Sequence, residues 1–166
     1  MFILVTVAIL LGLGLILLLN RSSSPVAAEK AYYQPRGVEQ QQLERLAPEQ
    51  FERLCFRLLE QMGLSITGCH RNRQGEIDIT AVNSQPITGG SYMVRCVLTP
   101  PEAPINSAQI IALSDTVLAE RALKGIFITT GFFSEEVPKL TDGPLIELIN
   151  GQRLRQILRE HRISLG

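Results

Sequence analysis

The chain has no excess of either charge: 16 basic residues balance 16 acidic ones. A domain that grips DNA mainly by charge is usually basic, so neutrality withholds that support while leaving room for a local patch. The cysteine patterns of a zinc site or a disulfide scaffold are missing too. The three cysteines, Cys55, Cys69 and Cys96, form no CxxC and are odd in number. Unpaired cysteines suit a reducing compartment. Cys69 precedes His70, but adjacent strand residues point to opposite faces, which argues against a shared metal ion. Lysine is scarce: only Lys30, Lys124 and Lys139 occur. The first twenty residues carry no charged side chain, so every charge lies in the body after them.

That charge-free start contains an apolar run of 18 residues, Phe2 to Leu19. At ~1.5 Å per residue it reaches about 27 Å, enough for a bilayer core. No Lys or Arg precedes the run, and it is long for a signal core. A transmembrane helix over residues 1–20 is therefore expected, with cleavage near Val26-Ala27-Ala28 as the alternative. Arg21, Lys30 and Arg36 all follow the run. The positive-inside rule then makes this a single-pass membrane protein with its C-terminal domain in the cytoplasm. Residues 21–44 read as a tether, broken by Ser22-Ser23-Ser24-Pro25 and Gln34-Pro35-Arg36-Gly37. Residues 45–166 are long enough for one domain with its own core.

Within that domain a helix is expected from Ala47-Pro48 to Gly63, with Phe51, Leu54, Cys55, Leu58, Leu59 and Met62 on one stripe. A short strand, Leu64 to Cys69, leads into the polar turn His70 to Gly75. Two alternating segments follow, Gly75 to Ala81 and Tyr92 to Leu98. Paired as a hairpin, they put Asp78 and Arg95 on the same side of the sheet. Asn106 or Ser107 caps a helix reaching about Leu123. The apolar run Gly125 to Gly131 suits a strand buried on both faces. Ser134 caps a further helix with Glu135 and Glu136 in its first turn. The last helix, Gln152 to about His161, turns Leu154, Ile157 and Leu158 inward and carries Arg153, Arg155 and Arg159, with Arg162 just beyond. Its arginines fit acidic lipid headgroups, nucleic acid or a solvated helix face alike. This order of elements reads as an α/β domain.

Four phrases carry a family resemblance. They are Phe51-Glu52-Arg53-Leu54 with Leu58-Leu59 and Met62-Gly63; Gly75-Glu76-Ile77-Asp78-Ile79-Thr80-Ala81; Gly125-Ile126-Phe127-Ile128-Thr129-Thr130-Gly131 with Phe133-Ser134; and Leu145-Ile146-Glu147-Leu148-Ile149-Asn150-Gly151. Together they resemble the Mrr-like domain of type IV restriction endonucleases, within the PD-(D/E)XK nuclease superfamily. The resemblance implies a restriction-endonuclease-like three-layer α/β fold, a central mixed β-sheet flanked by helices, here preceded by one transmembrane helix. It places Asp78 at the metal-binding aspartate and Glu52 at an acidic position near the metal. Arg95 stands where Gln or Glu is expected, and Val97 where the catalytic lysine is expected. Arg71 and Arg73 fall in a loop beside the DNA-facing cleft, where they either hold phosphates or are simply solvated.

Those two replacements set the chemistry to expect. Valine can neither hold a proton nor donate a hydrogen bond. A guanidinium is effectively always charged. Two unit charges at 4 Å interact by ~4 kcal/mol at an effective dielectric of about 20, and a divalent ion doubles that repulsion. Arg95 beside Asp78 should exclude a metal and form an ion pair instead. No cofactor is expected, and Mg2+ only if the site is active, with Asp78 the one ligand named. The expectation is a membrane-anchored, DNA-associated domain with impaired catalysis. The alternatives are an active endonuclease with an unconventional site, or a non-catalytic protein-interaction scaffold.

Overall fold

The computed structural model describes residues 42–43, 45–72, 74–87, 89–100, 103–137 and 145–164. The expected membrane helix, most of the tether, and Arg73 lie outside the described residues. Among the described residues, no helix is long and apolar enough to cross a membrane.

Helix α1 (Pro48–Gln61) forms where the apolar stripe predicts it. Phe51, Leu54, Cys55, Leu58 and Leu59 are its buried residues. Pro48 sits in the first turn, where its missing N–H is no loss. The backbone leaves the helix through Gly63 at φ +81°, a left-handed conformation that glycine adopts without strain. Leu64 N then donates to Leu59 O at 3.0 Å, closing the helix end.

Strands β1 (Ser65–Arg71), β2 (Ile77–Asn83) and β3 (Gly90–Val97) form an antiparallel meander. β4 (Lys124–Thr129) and β5 (Ile146–Ile149) then add in parallel, giving one mixed sheet in the order β1-β2-β3-β4-β5. Helix α2 (Ser107–Ala119) connects β3 to β4, and α3 (Gly151–Glu160) follows β5. The strands alternate between two cores. Ile77, Ile79, Ala81, Val94, Cys96, Ile126 and Ile128 pack with α1 and α3 on one face. Phe127 packs with Ile110, Leu113 and Val117 of α2 on the other. β4 is thus buried on both sides, which is why its sequence is apolar without alternation.

Element ends differ from the sequence reading where side chains redirect the backbone. Asn72 Oδ1 accepts from Gln74 N and Glu76 N, at 2.9 and 3.0 Å, and Gly75 takes φ +83°. This turn delays β2 to Ile77 and lets β1 run on to Arg71, opposite Ile77. Asn106, not Ser107, caps α2: its Oδ1 accepts from Gln109 N, while Gln109 Oε1 accepts from Asn106 N, both at 3.2 Å. α2 ends at Ala119 rather than near Leu123, because Leu123 N already donates to Ser91 O as the chain enters the sheet. Ser134 Oγ is buried without a hydrogen-bond partner among the described residues, so it does not act as the expected cap there. Residues 138–144, where that helix was expected to continue, lie outside them.

Gly125 leaves no room for a side chain where α2 and β5 pack beside it. A Cβ there would lie 2.5 Å from Ile146 Cδ1 and 2.8 Å from Val117 Cγ2. Gly125→Ala should therefore destabilise the domain by about 1–3 kcal/mol, read as a lower midpoint in urea unfolding.

Candidate active site

The hairpin register fixes the centre of the site. Asp78 lies opposite Arg95, and His70 lies opposite Asp78 from the other side. Strand alternation then puts His70, Asp78 and Arg95 on the face of the sheet that α2 covers. α2 packs on β3 and β4, leaving an open groove over β1 and β2. The groove has a volume of about 380 Å³, and Gly68, His70, Asp78, Thr80, Arg95 and Thr116 are among its lining residues.

Asp78 and Arg95 form a two-bond pair. Arg95 Nε donates to Asp78 Oδ1 at 2.7 Å, and Nη2 donates to Oδ2 at 3.0 Å. This parallel geometry is the strongest form of a carboxylate–guanidinium contact. The Arg95 side chain is 14% exposed and that of Asp78 32%. The hydrogen bonds it donates to Asp78 push the Arg95 pKa up against the opposing effect of burial, so the positive charge is permanent. Behind the pair, Glu76 is braced: it accepts from Asn72 Nδ2 at 2.7 Å and from Gln109 Nε2 at 3.0 Å.

Glu52 is not drawn into this pair. Its carboxylate accepts from Arg71, whose guanidinium also reaches Glu49 at 3.2 Å. Arg71 pairs with Ile77 in the sheet, so it leans toward the α1 face rather than into the groove. Its charge is already matched by two carboxylates, which also hold its pKa up, the Glu52 hydrogen bond foremost. Cys69, on the same side, has Sγ 3.9 Å from Glu52 Oε1. Partial burial and then the Glu52 charge push its thiol pKa up, away from a reactive thiolate.

Val97 lies two residues beyond Arg95 on the same face, but its side chain packs against the second core. No lysine replaces it among the described residues: Lys124 sits at the start of β4 and binds Glu147 at 2.6 Å. The donors do not fit a divalent cation as arranged. Both Asp78 oxygens face a guanidinium and Glu52 faces another. Among the described residues, no three His, Cys, Asp or Glu side chains converge.

Sequence reasoning missed one polar cluster beside the site. Thr99 Oγ1 lies 2.6 Å from Thr129 Oγ1, Thr99 N donates to Thr130 Oγ1 at 3.0 Å, and Gly131 N donates to Thr129 Oγ1 at 3.2 Å. All three threonines are buried. The Thr-Thr-Gly phrase therefore ties the ends of the parallel strands β3 and β4 together. The signal was Thr99, a hydroxyl just past β3 that has no reason in sequence to be buried.

The model of a restriction endonuclease family, Mrr_cat, matches residues 43–158. No curated protein matches the chain. Among solved structures the chain is similar to the DNA modification-dependent restriction endonuclease AspBHI, with a TM-score of 0.56 at 14% identity, over 78% of this chain and 37% of that one. It also matches MspJI restriction endonuclease in complex with a 27-mer oligonucleotide, with a TM-score of 0.44 at 17% identity, over 68% of this chain and 27% of that one. The chain spans well under half the length of either enzyme. The AspBHI likeness agrees with the three-layer arrangement described above.

A double-mutant cycle with Asp78→Asn and Arg95→Met should give a coupling energy of about 1–2 kcal/mol in urea unfolding. Glu52→Gln and Arg95→Met, acting on separate pairs, should add without coupling.

Proposed function

The chain belongs to the Mrr_cat family of restriction endonucleases, and on that footing we propose a DNA-associated domain whose hydrolytic site is closed by an ion pair. Association with DNA is supported by the family and by the fold shared with a DNA-acting enzyme. Impaired cleavage is supported by one observation above all, the two-bond contact between Asp78 and Arg95. The carboxylate placed to hold a cation already has a cation, and that cation is tethered to the neighbouring strand. A divalent ion entering the groove would have to displace a guanidinium with only 14% of its side chain exposed and then remain next to it. Val97 leaves no group at the lysine position to position water or take a proton. The apolar run Phe2 to Leu19 supports holding the domain at a membrane, with the body on the cytoplasmic side.

The full chain should bind duplex DNA with an affinity that falls as salt rises. It should not nick supercoiled plasmid with Mg2+ or Mn2+. Arg95→Glu with Val97→Lys, which puts an acidic residue and a lysine at the two positions where the family has them, should gain metal-dependent nicking. Asp78→Ala in that background should remove it again. Robust nicking by the unaltered chain, abolished by Asp78→Ala, is the result that overturns the closed-site reading. Absence of salt-sensitive DNA binding overturns the association.

A further inference from the structure

The groove uses none of the three cysteine side chains, yet two of them meet in the core behind it. α1 carries Cys55 on its buried stripe, with Phe51, Leu54, Leu58 and Leu59. β3 turns Cys96 to the same core, because Val94 and Cys96 share the face that α1 covers. Both cysteines are wholly buried, at 0% exposure. They are also neighbours: the Cys55 thiol is the hydrogen-bonding partner of the Cys96 thiol. Burial, and then that contact, push the Cys96 thiol well above the usual thiol range, so Cys96 rests protonated.

Cys69 stands apart from this pair. It is exposed, and its Sγ turns to Glu52. It lies on the same side of the sheet as Cys96, but β2 separates their strands. Two strand spacings put their Cα atoms at least about 9–10 Å apart, beyond the ~7 Å that a disulfide spans. The chain therefore holds one facing pair and one separate thiol. Two small apolar side chains would fill the same space in the core. What distinguishes the pair is its placement, thiol to thiol across the boundary between a helix and a strand that are far apart in the chain.

We propose that Cys55 and Cys96 are a reversible dithiol–disulfide pair, oxidised by a low-molecular-weight disulfide, that clasps α1 to β3. One thiol of the pair, deprotonated, attacks the small disulfide, forms a mixed disulfide and releases one small thiolate. The other, deprotonated in turn, attacks the mixed disulfide at the protein sulfur. The Cys55–Cys96 bond forms and a second small thiolate leaves. Two electrons pass from the pair to the oxidant, and the two thiol protons end on the released thiolates. Neither sulfur meets solvent in the folded domain, so the reaction runs through local opening of α1 from the sheet. A reducing compartment keeps the pair open, and oxidising conditions fasten the helix to the strand that carries Arg95. The proposal rests neither on the state of the hydrolytic site nor on Phe2 to Leu19 spanning a membrane.

The test uses the full chain in detergent micelles, unaltered and with Cys69→Ser, a change at an exposed position that leaves the core intact. Each is equilibrated in buffers of glutathione and glutathione disulfide, with and without urea below the unfolding transition, then quenched in acid, denatured and alkylated. In the Cys69→Ser chain, Cys55 and Cys96 should lose their reactivity to alkylation together as the disulfide fraction rises. Peptide mapping should find the two joined, lighter by the two thiol hydrogens, in both chains. Mild urea should speed the reaction, and the oxidised chain should unfold at a urea midpoint about 1–2 M higher, reversed by reductant. Cys55 and Cys96 remaining free thiols, or carrying glutathione separately, at every ratio and in mild urea overturns the proposal. So does a bond from Cys69 to either of them in the unaltered chain, or a midpoint that does not rise on oxidation.

Discussion

A guanidinium on β3 lies flat against a carboxylate on β2, and the open half of the sheet is arranged around that contact. Neither partner chose its position freely. The period-two alternation that buries Ile77, Ile79, Val94 and Cys96 under α1 forces Asp78 and Arg95 to the other face, opposite each other. A one-residue slip of either strand would turn its own charged residue into the core and its apolar residues out of it. The hydrophobic pattern therefore holds the ion pair in register, and the pair supplies the polar face with a satisfied centre. Glu76, braced by Asn72 and Gln109, ties the turn before β2 to α2 and keeps the groove walls in place.

The same logic explains why the scaffold does not lean on the site for its stability. The sheet order, the helices on both faces and the threonine cluster at the ends of β3 and β4 make no demands on a metal. Their stability comes from the two cores and from the hydrogen-bonded hydroxyls of the threonine cluster. Arg95 in turn gives the groove-facing carboxylate of Asp78 a charged partner. Val97 fits its surroundings better than a lysine would, since it packs into the second core.

Much of the fold was legible in the sequence because its signals are local. The stripe of α1, the alternation of β2 and β3, and the uninterrupted apolar run of β4 each report burial on one face, the other or both. The Asp78–Arg95 contact was legible for the same reason, since alternation and a hairpin suffice to place it. What was not legible depends on partners far apart in the chain. The glutamates that clamp Arg71 lie on a helix 19 and 22 residues away. They assemble only because β1 runs two residues past its expected end, an extension set by the Asn72 turn. Arg71 thus looked like a loop cation and is instead a cross-link between helix and strand. Thr99 was silent for a like reason: its partners are 30 and 31 residues on.

The mixed sheet also carries an order of assembly. β3 belongs at once to an antiparallel half built from neighbouring segments and to a parallel half that needs the crossover through α2. Bringing Asp78 to Arg95 closes a span of 17 residues. Joining β3 to β4 closes a span nearly twice as long. Loop-closure entropy rises with that span, so the meander is the less costly half to bring together, and the parallel strands then add onto an edge already formed. The Asp78–Arg95 contact thus belongs to the part of the chain with the shortest search.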